Sequence, residues 1–87
     1  MNLETTLKER GYKNGDYAEM ARVIQNIKDC MRSSPKWESI SAEHREALEM
    51  ISHKMGRIVA GDPSHSDHWH DIQGYAKLGE KYAVDQQ

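Results

Sequence analysis

Two pairs of carboxylates stand at spacings that can do chemistry: Glu46 and Glu49 in the run Arg45-Glu46-Ala47-Leu48-Glu49, and Asp67 and Asp71 in Asp67-His68-Trp69-His70-Asp71. Residues three or four apart on a helix are neighbours on one face, so each pair presents two oxygen ligands side by side. If the four converge, their mutual repulsion disfavours an empty site, and one or two Mg²⁺ ions relieve it while leaving positions for water and phosphate oxygens. Metal-bound water is then an activated nucleophile. Lys54 and Arg57 carry the charge to neutralise phosphates, although both equally suit ordinary surface pairs at i,i+3 or i,i+4.

The elements that must carry these groups read as helices, because apolar residues recur at three and four and no long run alternates with period two. Asn2 to Arg10 reads as a short helix ended by Gly11, with a loop through Gly15. Asp16 with Glu19 makes a capping box for a helix over 16–34, on which Tyr17, Met20, Ile24, Ile27 and Met31 share one face. Ser41 caps a second helix to residue 60, with Leu48, Ile51, Met55 and Ile58 as its stripe and Gly61 and Pro63 beyond its end. Ser64 or Ser66 opens a third over 65–84, where Trp69, Ile72, Ala76 and Ala83 form the stripe and Gly74 and Gly79 allow close approach. The expectation is a single all-α domain, a small antiparallel helical bundle completed by oligomerisation, because 87 residues bury only a modest core.

On that reading Glu46, Glu49, Met50, His53 and Arg57 lie opposite the Leu48 stripe, and Asp67, Asp71, Tyr75, Leu78 and Tyr82 opposite the Trp69 stripe. Acids on an outer helix face are most often merely solvated. Tyr and Leu beside them are poor choices for a solvated surface, whereas a cleft with aromatic walls and acidic ends suits a nucleotide and its metal. Tyr75 and Tyr82 serve either base stacking or subunit packing.

His65, Asp67, His68, His70 and Asp71 also read as ligands for Zn²⁺, Mn²⁺ or Fe²⁺, but the spacing is no zinc signature and no cysteine supports a closed site. The His70-Asp71 dipeptide evokes phosphohydrolases named for that pair, which need a much longer helical domain. Cys30 is the sole cysteine, so no intramolecular disulfide forms, and it reads as a small packing residue. The formal charge of -2, with both signs interspersed, argues against nucleic-acid binding. Nothing reads as a signal peptide or membrane span, which leads to the expectation of a cytoplasmic protein.

Three stretches together resemble a family of small phage and prophage proteins. They are Glu9-Arg10-Gly11-x-x-x-Gly15-Asp16-Tyr17, then Arg45 to Ile51 with Lys54 and Arg57, then Gly61-Asp62-Pro63 followed by Trp69-His70-Asp71-Ile72-x-Gly74-Tyr75. The resemblance covers roughly residues 3 to 79. At greater distance the chain is similar to the all-α nucleoside triphosphate pyrophosphohydrolases, the MazG and dimeric dUTPase group, which place Glu-x-x-Glu on one helix and Glu-x-x-Asp on the next. Glu46 and Glu49 match the first pair; in the second, His68 stands where Glu is expected before Asp71, and Asp67 is the nearest substitute. The similarity implies Mg²⁺-dependent hydrolysis between the α- and β-phosphates in a homo-oligomer, working in the bacterial host cytoplasm if the chain is phage-encoded.

Expected site residues are therefore Glu46 and Glu49 as catalytic residues, Glu46, Glu49, Asp67 and Asp71 as metal ligands, and Lys54, Arg57, Tyr75 and Tyr82 as nucleotide contacts. The alternatives are a non-catalytic nucleotide binder that sequesters a host immune signal, needing cations and aromatics but no metal, and a helical protein-interaction module using the Tyr/Leu face.

Overall fold

The computed structural model describes residues 17–85, with side chains through Ala83. The expected helix over Asn2 to Arg10, the loop after it and the Asp16 cap lie outside the described residues. Within them the chain is all-α: α1 (Tyr17–Arg32), a 3₁₀ turn (Trp37–Ser39), α2 (Ala42–Ala60) and α3 (Ser66–Asp85). No helix among the described residues is long and apolar enough to cross a membrane.

Helix α1 stops where Ser33 N–H still reaches the Asp29 carbonyl at 3.0 Å and the Ser33 hydroxyl turns back onto Cys30 O, just before Pro35. The turn after Pro35 folds Trp37 inward, with its N–H on Ser34 O at 3.0 Å and its ring buried. Ser41 then caps α2, its Oγ accepting from His44 N–H at 3.2 Å. Between α2 and α3, Asp62 Oδ1 accepts from both the Ser64 N–H and hydroxyl, an Asx turn that re-aims the chain after Gly61.

Helix α2 is the central element, packed antiparallel to α1 on one side and to α3 on the other. Its register with α1 is fixed by Ile24 against Gly56, Met31 against Ser52 and Arg32 against Glu49. Its register with α3 is fixed by His44 against Gly79 O at 2.9 Å and Lys54 against Asp71 at 2.9 Å.

This double contact corrects the expected core. On α2 the buried residues are Ala47, Ser52, Gly56 and Ile58, while Leu48 and Met55, placed in the apolar stripe by their size, are 39% and 42% exposed. A helix flanked on two sides buries whichever residues let its neighbours approach, and Ser52 and Gly56 do that for α1. Ser52 meets its own polarity by donating to Leu48 O at 2.8 Å. Trp69 leaves the expected stripe as well: half-exposed, it donates its indole N–H to Pro63 O at 2.7 Å and braces the turn. Cys30, expected as a packing residue, is exposed. Gly74 has open space where a β-carbon would stand, so only Gly79, beside Ala47, fits the expected close approach.

Candidate functional site

Glu46 and Glu49 line an open cavity of about 370 Å³ whose other walls are Arg32, Trp37, Ala42 and Arg45. Each wall has a local cause. Arg32 is the last residue of α1, Trp37 comes from the 3₁₀ turn, and Ala42, Arg45, Glu46 and Glu49 lie on the first turns of α2 after the Ser41 cap. Two carboxylates one turn apart, two guanidinium groups and an indole thus meet where the α1–α2 connection folds over the start of α2. Arg32 Nη2 donates to Glu49 Oε1 at 2.7 Å while its Nη1 lies 4.0 Å from Asp29 Oδ1, and Arg45 leans towards Glu38 at 3.8 Å. Glu46 is exposed, with no ion-pair partner among the described residues.

Asp67 and Asp71 do not join this cavity within one chain. The antiparallel register sets Lys54 of α2, not Glu49, level with Asp71. Glu49 is five residues earlier, about 7 Å along the axis. Among the described residues no group of three or more His, Cys, Asp or Glu side chains lies close enough to hold a metal ion, so four acids do not converge and the imidazole-rich stretch around His68 makes no ready ligand cluster. Asp67 is exposed, 3.7 Å from His65.

The α2–α3 seam near the turn is cationic instead. The hydrogen bond from Lys54 holds the Asp71 carboxyl below its usual range. Arg57 Nε donates to His53 Nε2 at 3.0 Å, which requires an unprotonated acceptor. Burial, reinforced by Arg57, Lys54 and Lys28, pushes the His53 pKa down. His68 is 6% exposed, edge-on to His65 with ring centroids 4.9 Å apart, and its pKa is lowered by burial and by the cations around it. Its Nδ1 is buried without a partner among the described residues.

The two tyrosines are separated from both places. Tyr75 lines an apolar groove of about 230 Å³ with His44, Ala47, Leu48, Ile51, Ala76 and Gly79. Tyr82 is exposed near the end of α3, with Lys81 Nζ 6.0 Å from its ring centroid.

Of the residues expected to act together, the structure therefore joins Glu46 with Glu49, and sets Lys54 and Arg57 at the α3 seam. Reading the sequence missed Arg32, Arg45 and Trp37 as cavity walls. Arg45 directly precedes Glu46, but Arg32 and Trp37 reach the cavity only through the fold of the α1–α2 connection, which leaves no periodic signal. Comparison with protein-family models, with curated proteins and with solved structures finds no match.

Proposed function

We propose that the chain is a nucleotide-handling protein of the MazG-like kind, a Mg²⁺-dependent nucleoside triphosphate pyrophosphohydrolase acting in the cytoplasm. The observation that carries the reading is the cavity of about 370 Å³ that Glu46, Glu49, Arg32 and Arg45 line together with Trp37. Mg²⁺ is commonly bound through one or two carboxylates, with water and substrate phosphates supplying the rest, so a lone pair of glutamates fits the ion even where three protein ligands do not meet. Glu46 and Glu49 would hold it, and a bound ion there would supply charge neutralisation and a lowered pKa for water. Arg32 and Arg45 match phosphate oxygens in charge and fork geometry, and Trp37 offers an aromatic edge for a base. In this reading Lys54, Arg57, Tyr75 and Tyr82 act outside the primary cavity, and Asp67 and Asp71 reach a metal only across an assembly.

A homo-oligomer belongs to the same proposal. Leu48, Met55, Val59, Leu78 and Tyr82 are exposed on α2 and α3, apolar side chains that a second copy of the chain would cover. Sedimentation analysis tests it directly.

A metal-free nucleotide binder, as an anti-defence sponge would be, is the second reading. It is favoured by the ion pairs that already neutralise Glu49 and Asp71. One experiment separates the two. The protein is incubated with nucleoside triphosphates and cyclic dinucleotides, with and without Mg²⁺, and products and retained ligand are resolved by chromatography. Monophosphate and pyrophosphate that disappear in Glu49→Gln support the enzyme. Intact ligand held without Mg²⁺ supports the binder, and neither outcome leaves the helical interaction module.

A further inference from the structure

His68 is buried at 6% exposure, and its Nδ1 has no hydrogen-bond partner among the described residues. Enclosing a ring nitrogen in this way forfeits its hydration and returns nothing. The side chains around it cannot repair the loss. From α2 the ring faces Lys54 and Arg57, which are donors with no acceptor capacity, and on its own helix His65 meets it edge-on. The carboxylate that faces these cations, Asp71, is taken by Lys54 at 2.9 Å. Acceptors are scarce along the whole seam. Arg57 is half-buried, forms one side-chain hydrogen bond, to His53 Nε2, and has no carboxylate partner among the described residues. Lys28 of α1, half-buried and also without a carboxylate partner among the described residues, acts on the same His53. The other acids near the turn face solvent: Asp62 accepts from Ser64, and Asp67 is exposed beside His65.

We propose that the seam between α2 and the first turn of α3 binds an oxyanion of the phosphate class, which accepts from His68 Nδ1 and from Arg57 while Lys28 and Lys54 add charge. An oxyanion is the ligand that supplies what the seam lacks, since each of its oxygens accepts and none donates. The free N–H groups of Arg57 form the planar fork that suits two such oxygens. His68 lies on the first turn of the 20-residue α3, where the helix end adds partial positive charge. A cation at the same place would be repelled by Lys28, Lys54 and Arg57. The site is separate from the cavity beside Glu46 and Glu49 and stands whether or not that cavity takes a nucleotide.

The test titrates the whole chain with inorganic phosphate, at constant pH and at ionic strength held constant with chloride, and follows the histidine ring signals by ¹H–¹⁵N NMR. The His68 signals are those absent from His68→Phe. They should move saturably with phosphate. Arg57→Met should weaken the binding by roughly tenfold, the loss of one charge-assisted hydrogen bond. His68→Phe, followed through His53 and by calorimetry, should weaken it similarly, and His68→Asn, which keeps a donor near the Nδ1 position, should recover part of the loss. A nucleoside monophosphate titrated in parallel tells the sources apart: equal affinity identifies the free oxyanion, a tighter monophosphate identifies the phosphate group of a nucleotide, and either upholds the site. Shifts that chloride alone reproduces, or that never saturate, overturn it. So does unchanged affinity in both His68→Phe and Arg57→Met, which would leave the bare Nδ1 a purely structural feature. Loss of the His68 shifts in Arg45→Met but not in Arg57→Met also overturns the seam site, because it places the anion in the cavity.

Discussion

Lys54 Nζ lies 2.9 Å from Asp71 Oδ2, and this contact across the α2–α3 seam sets which residues of the two helices can meet. With 54 opposite 71, the α2 positions facing His68 and Asp71 are occupied by cations, and Glu46 and Glu49 are displaced towards the far end of α3. A Glu-x-x-Glu helix followed by an acidic helix does not make a four-carboxylate centre unless the turn between them aligns the two pairs. Here the turn is placed so that it does not.

The pH dependence of that contact follows from the hydrogen bond. Lys54 depresses the Asp71 pKa below the ordinary 3.8, so the folded state binds its proton less readily than the unfolded chain. Its stabilisation is present above 3.8 and is lost as pH falls through the lower folded value. Asp71→Asn should melt at a lower temperature than wild type at neutral pH, and the difference should close on strong acidification. A constant difference across the whole range would mean that the carboxylate charge contributes nothing.

His53 runs the same way, but over a higher pH range. Burial and the neighbouring cations lower its pKa from 6.5, and Arg57 needs its Nε2 unprotonated as an acceptor. The unfolded chain therefore binds the proton more readily, and stability declines as pH falls through 6.5 and below. His53→Gln, which keeps an acceptor but cannot titrate, should flatten the fall in melting temperature between mildly alkaline and mildly acidic buffer. An NMR titration placing the His53 pKa above 6.5 would remove the basis of this expectation.

Much of the fold is legible from local pattern. The Ser41 cap, the punctuation by Pro35 and by Gly61 and Pro63, and the face shared by Met20 and Ile24 are all near-neighbour effects, and each appears in the structure. What the pattern does not carry is which side of α2 meets which helix. Size alone places Leu48 and Met55 inside, yet the closest approach to α1 runs over Ser52 and Gly56, and a small residue contributes nothing to an apolar stripe. The cavity was half legible for the same reason: the Glu46 and Glu49 pairing is local, while Arg32 arrives from 17 positions upstream.

Gly56 makes that approach testable. A β-carbon at 56 would collide with Cγ1 of Ile24 and stand 2.9 Å from its Cδ1, too close for any rotamer change at the tip alone to relieve. In an exposed helix interior Gly→Ala would be worth up to about 1 kcal/mol of stabilisation. At this site overpacking should outweigh it, and Gly56→Ala should cost on the order of 1–3 kcal/mol in denaturant unfolding. Ile24→Ala alone should cost about 2–5 kcal/mol, and the double variant should lose less than the sum of the two single losses, a non-additive result expected of side chains in direct contact.

The two tryptophans offer a direct view of the cavity because they sit in different places. Trp37 is 7% exposed and lines the cavity beside Arg32, Arg45 and the two glutamates. Trp69 is 50% exposed and bonded to Pro63 O at the α2–α3 turn. Trp69→Phe removes one indole hydrogen bond, worth about 1 kcal/mol, and leaves Trp37 as the only tryptophan emission. If a nucleotide base or its phosphates enter the cavity, the remaining fluorescence should change saturably with ligand, and the change should disappear in Arg45→Met at concentrations that saturate the parent. In Trp37→Phe, which keeps most of the buried ring, the Trp69 emission should stay constant under the same titration. A response from Trp69 without one from Trp37 would move the ligand from the cavity to the cationic seam around Lys54, Arg57 and His68.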